Sequence, residues 1–111
     1  MTIKRWTPPL IGPPVGQYSH LAVASADRDL LFIAGQVGAR PDGSSPADLV
    51  KIFTMVAGGE HVAGTRAGRA EHFGRWFPAG DWPTQSLVVV SALAAPEIVV
   101  EVEAIAAIPR R

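Results

Sequence analysis

Only one stretch of this chain repeats its apolar residues at helical spacing, and most of the rest reads as strand. Ala63, Ala67, Ala70, Phe73 and Phe77 recur at steps of four, three, three and four. That spacing puts them on one face of an α-helix running from Glu60 to Phe77. Glu71 and Arg75 form a favourable i,i+4 pair on it. Gly64 and Gly68 each weaken such a helix by about 1 kcal/mol relative to alanine, and their small size permits close packing against a sheet. Five strand-like runs surround this helix. Five strands at about 4.8 Å spacing make a sheet about 24 Å wide, whereas one helix is about 10 Å across. The helix therefore covers less than half of one sheet face. The expectation is that copies of the chain pack their sheet faces together and that an apolar patch is left over.

The strands follow from local pattern. Residues 1–16 hold Pro8, Pro9, Pro13 and Pro14 with Gly12 and Gly16, and fixed φ angles with missing donors make this an extended lead-in. Tyr18 to Ala26 and Leu30 to Val37 flank the polar turn Asp27, Arg28, Asp29, which reads as a β-hairpin. Gly35 inside the second strand marks a bulge or a close approach to the backbone. ARPDGSSP is a loop. Asp48 to Val56 is a strand with Val50, Ile52 and Thr54 on one side, ended by Gly58 and Gly59. After the helix come strands at Gln85 to Leu93 and Ile98 to Ala107, then a short tail over residues 108–111. The order ββ, β, α, β, β describes one α+β domain.

Composition excludes several classes of function. The chain of 111 residues carries 10 Lys+Arg against 10 Asp+Glu, for a formal net charge of zero. A nucleic-acid binder ordinarily has a basic surplus to neutralise phosphates, so nucleic acid is not the expected partner. The absence of cysteine removes disulfides, thiol catalysis and cysteine-ligated zinc. The N-terminus lacks the continuous apolar stretch of a signal peptide. Trp82 to Pro96 is too short and too polar to span a bilayer. A cytoplasmic protein that does not engage a membrane is the expectation.

The candidate chemistry is sparse. His61 and His72 are eleven positions apart on the helix, roughly 16 Å by helical rise, too far to share one zinc. His20 lies on another element, so neither a metal nor another cofactor is implied. Glu101 and Glu103 share one face of a strand at roughly 6.7 Å. That separation suits an acid/base pair, and it also suits a plain exposed face with Val100, Val102 and Ala104 turned inward. Arg66 and Arg69 could bind an anion, but an ordinary solvated helix face is the favoured account of them. There is no GxGxxG, no GxxxxGK[ST] and no Gly-x-Ser-x-Gly.

Five blocks carry a resemblance: GPPVGQYSH from Gly12, LLFIAGQVG from Leu30, ADLVKIFTMV from Ala47, LVVVSALAAPE from Leu87 and VEVEAIAA from Val100. Together and in this order they resemble the Rid family, also called YjgF/YER, over nearly the whole chain. The resemblance implies a chorismate-mutase-like fold assembled as a homotrimer, with small-molecule pockets between subunits. It implies hydrolysis of enamine or imine intermediates to 2-oxo acids and ammonia. In that chemistry an arginine binds the substrate carboxylate, and a glutamate near the C-terminus positions the attacking water. The glutamate falls on Glu101, the pocket tyrosine on Tyr18, and the ligand-lining strand backbone on Ala34 and Gly35.

Two departures stand out. The arginine position is occupied by Gln85, which offers hydrogen bonds but neither charge nor a rigid fork. This leaves two functions open besides an imine deaminase: a trimer that binds a metabolite without turning it over, and an endoribonuclease, against which the zero net charge argues. Family members also carry a first helix between the glycine-rich turn and the DLVK strand, whereas here PDGSSPADLVK runs straight through. Either that helix is deleted, or the sequence closes over residues between Gly43 and Asp48. The intact strand pattern on both sides favours closure.

Overall fold

The computed structural model describes residues 3–14, 16–34 and 46–110. Gly35 and the Gly43–Ser45 part of the junction lie outside the described residues. Strand β1 (Ile3–Trp6) pairs antiparallel with β2 (Leu21–Ala24). A second sheet holds β3 (Arg28–Ile33), β4 (Leu49–Ala57), β5 (Thr84–Val90) and β6 (Val100–Pro109) in the order β3-β6-β4-β5. Its β4–β5 pairing is parallel and the other two are antiparallel. Helix α1 (Val62–Trp76), preceded by a 3-10 turn at Gly59–His61, crosses from β4 to β5. The architecture is the expected α+β arrangement, one helix on one face of a mixed sheet.

Three local expectations are corrected. The lead-in is not merely extended, because Ile3–Trp6 supplies a strand. The expected hairpin does not form a ladder: β2 pairs with β1, and β3 pairs with β6. The cause is the competing partner, since Lys4 lies opposite Val23 and Arg5 opposite Ala22. The tail also begins later, because Ile108 is buried within β6.

The core explains which face each strand buries. Leu49, Ile52, Phe73, Phe77, Ala106 and Ile108 form one cluster, with Leu31, Ile33, Val102 and Ala104 packed against it. Leu49 joins Ile52, Thr54 and Val56 on this face because the β4–β6 register shifts between Leu49 and Lys51. A bulge adds one residue and so changes which parity points inward. The helix is oriented differently from its alanine pattern. Ala63, Ala67 and Ala70 are exposed, while Val62, Thr65 and Arg69 are half-buried in line with buried Phe73. The aromatic pair Phe73 and Phe77, edge to face at 5.3 Å between centroids, fixes the C-terminal end on the sheet. Arg75 meets His72 Nδ1 at 2.7 Å rather than Glu71.

Arg5 joins the two sheets. Its side chain is 3% exposed and donates to the Leu49 and Ala47 carbonyls at 2.8 and 2.6 Å. Burial holds its guanidinium below the ordinary arginine value, with Asp81 and Asp48 opposing that shift.

The opposite sheet face carries Leu30 and Phe32, which are 61% and 71% exposed. This is the apolar surface the width argument anticipates. Among the described residues, no helix is long and apolar enough to cross a membrane, which says nothing of strands.

Gly58 makes the exit from β4 possible. Its φ is +91°, and a Cβ there would collide with the Glu60 carboxylate. Gly58→Ala should destabilise the domain by about 1–3 kcal/mol, read as a lower denaturant midpoint at unchanged slope. An unchanged midpoint would show that the turn relaxes without cost.

Candidate ligand pocket

The segment carrying Tyr18 is held against the start of β5 by backbone and side-chain bonds. Ser19 is buried, its Oγ donates to the Trp82 carbonyl at 2.6 Å, and its N–H donates to the Pro83 carbonyl at 3.2 Å. Pro83 is fully buried. Thr84 Oγ1 in turn donates to the Val50 carbonyl at 2.6 Å, locking β5 to β4. These anchors bring Tyr18 beside Gln85, although the two are far apart in sequence.

Tyr18 and Gln85 line one pocket of about 310 Å3 together with Gly16, Leu87 and two helix residues, Arg66 and Arg69. The register explains Gln85: it lies opposite Ile52 on β4, which lies opposite Ala104 on β6, so all three point toward the helix. A Cβ placed on Gly16 would stand 3.5 Å from Arg69 Nη2, which brings that guanidinium to the pocket wall. Arg69 Cζ also lies 6.0 Å from the Phe73 ring centroid.

The pocket is polar and incompletely satisfied. Arg69 Nε and Gln85 Oε1 are both buried without a hydrogen-bond partner. Leaving such a group unpaired costs about 1–3 kcal/mol. Burial, and after it the neighbouring charge of Arg66, pushes the Arg69 guanidinium below its ordinary value. The pocket thus gathers positive charge with no carboxylate among its lining residues.

Glu101 lies elsewhere. On β6 it sits opposite Met55 of β4, on the face away from the helix, and is half-buried. Glu103 shares that face and lines a separate concavity of about 470 Å3 with Phe32, Ala34, Lys51, Phe53 and Ile105. Within one chain, then, the structure joins Tyr18 to Gln85 and places Ala34 and Glu101 on the other side of the sheet. The sequence passed over Arg66 and Arg69 as a solvated face. Their three-residue spacing already placed them on one side of the helix, but which side met the sheet depended on packing. His20 faces Thr7 and Tyr18, His61 lies beside Glu60, and His72 stacks on Trp76. Among the described residues no group of three His, Asp or Glu side chains could hold a metal ion.

No protein-family model matches the sequence, and no curated relative matches it. Solved structures do. The crystal structure of YyfB from Yersinia pestis, described as a protein of unknown function of the conserved Rid family, superposes with a TM-score of 0.74 at 25% identity, covering 97% of this chain and 100% of that one. Its fold is that of the Rid family, and this likeness over nearly the whole chain supports membership of it. Rv2704 from Mycobacterium tuberculosis, a member of the YjgF/YER057c/UK114 family, shares the fold at a TM-score of 0.52 and 21% identity over 96% of this chain and 100% of that one. E. coli TdcF with bound serine shares it at 0.55 and 17% identity over 82% and 94%. At position 85 this chain carries glutamine, with two helix arginines lining the same pocket.

Proposed function

We propose that this Rid protein is a small-molecule hydrolase acting on imine or enamine metabolites, assembled as a homotrimer. The observation that carries the reading is the convergence of Tyr18 and Gln85 on one pocket of about 310 Å3. Water would add to the C=N carbon, and loss of ammonia from the adduct would leave a 2-oxo acid. Glu101 would accept the water's proton. Since Glu101 and the pocket occupy opposite faces of the sheet in one chain, its part in the reaction requires a neighbouring copy. The exposed Leu30 and Phe32 on the Glu101 side supply an apolar surface for such packing.

The test is ammonia release from freshly generated amino-acid-derived imines, together with the mass of the protein in solution. Release above the buffer rate by a trimer supports the proposal. No release with any such imine, or a monomer at all concentrations, counts against it.

A second reading is a trimer that binds a metabolite without turnover. Gln85 in place of an arginine favours it, as does the separation of Glu101 from the pocket. It predicts ligand-induced thermal stabilisation by mass action with no ammonia released.

A further inference from the structure

We infer that Arg69, supported by Arg66, anchors a carboxylate in the Tyr18–Gln85 pocket, and that Gln85 reads an amide-type N–H on the same ligand. This rests on the pocket being a ligand site, as proposed above, but not on hydrolysis. The ligand class is a small acid carrying both a carboxylate and an amide or ureido group.

Three observations converge. Within one chain the pocket is lined by two arginines and no acid, so an anion would relieve their mutual repulsion and offset the desolvation of Arg69. Arg69 Nε is a buried donor without a partner, and a carboxylate oxygen is the acceptor suited to a guanidinium edge. Gln85 Oε1 is a buried acceptor without a partner on the same pocket. A plain carboxylate cannot satisfy that acceptor, because it has no proton to donate. An amide or ureide edge presents a donor and an acceptor side by side, so it pairs with the Gln85 amide whichever way that group is turned. The cavity of about 310 Å3 sets the size, equal to roughly ten liquid waters at about 30 Å3 each.

Position 85 supplies no charge, while the helix supplies it from across the pocket. A ligand held this way has its nitrogen toward the sheet and its carboxylate toward the helix.

Calorimetric titration with four probes tests this: N-carbamoylglycine, its neutral amide, acetate, and inorganic phosphate. The expected order is N-carbamoylglycine at least tenfold tighter than any other probe. Arg69→Met should weaken N-carbamoylglycine at least tenfold, and Arg69→Lys should recover part of that loss by restoring the charge. Gln85→Leu should erase the preference for N-carbamoylglycine over acetate while leaving acetate binding within about twofold. Equal binding of the acid and its neutral amide by the unmodified protein would overturn the carboxylate anchor without reliance on any variant. Phosphate binding as tightly as N-carbamoylglycine would overturn the amide assignment. If the acid binds as expected and no imine releases ammonia, the hydrolase reading falls and this inference stands. If ammonia is released equally by the unmodified protein and Arg69→Met, the inference falls and the hydrolase reading stands.

Discussion

Glu101→Gln should lower ammonia release from amino-acid-derived imines by roughly 10²–10⁴-fold, the usual contribution of a positioned general base. The substitution keeps size and hydrogen bonding but removes the group that accepts the water's proton. It should leave the fold intact, because Glu101 is half-buried on the sheet face away from the helix cluster, and a change of that kind shifts stability by within about 0.5 kcal/mol. Binding in the Tyr18–Gln85 pocket should persist, since the ligand's hydrogen bonds are assigned to Arg69 and Gln85, and within one chain Glu101 does not line it. Steady-state rates and ligand titration on the same preparation separate the two effects. Full activity in Glu101→Gln would remove Glu101 from the mechanism.

Phe73→Ala should be the most damaging single truncation of the helix. Phe73 is the only buried residue of α1, and it packs on Phe77 and joins the cluster with Leu49, Ile52, Ala106 and Ile108. Truncating a buried phenylalanine costs about 3–5 kcal/mol, a large share of the roughly 5–15 kcal/mol that holds a domain folded. At about 4 °C per kcal/mol for a domain of this size, the midpoint should fall by roughly 12–20 °C. Ala63→Ser, on the exposed side of the same helix, should change stability by within about 0.5 kcal/mol. Comparable losses from the two variants would mean that the alanine face, not the Val62–Thr65–Arg69–Phe73 line, meets the sheet. The pocket variants gain meaning from this pair, because Arg69 sits one turn before Phe73 and depends on the same helix placement.

The residues legible in the sequence were those whose role is set by neighbours along the chain. Alternation and glycine punctuation located β4 and its end at Gly58, and β-prone runs located β5 and β6 to within a few residues. The helix was placed to within two residues at its N-terminal end and one at its C-terminal end, since its pattern and the glycines before it are local signals. The family blocks were legible for the same reason; they singled out Tyr18 and Gln85, which line one pocket. The width argument also needed only element counts, and exposed Leu30 and Phe32 occupy the face it left uncovered.

Strand partnership and facing required the tertiary structure. The choice of β1 as partner for β2 is a competition between distant segments, which no local pattern encodes. The bulge between Leu49 and Lys51 reverses the parity of β4, so alternation alone assigned Val50 to a side that Leu49 takes. The helix illustrates the point most directly. Small alanines at helical spacing looked like a buried stripe, but burial follows the larger apolar area, and Phe73 with Phe77 turned the alanines to solvent. That rotation is what carries Arg69 to the pocket wall beside Gln85. The sequence by itself determined that a mid-chain helix flanked by strands was present, and its blocks carried the resemblance that singled out Tyr18 and Glu101. Only the packing of the helix decided that positive charge faces the pocket, because the direction of a side chain depends on which face of its element is covered.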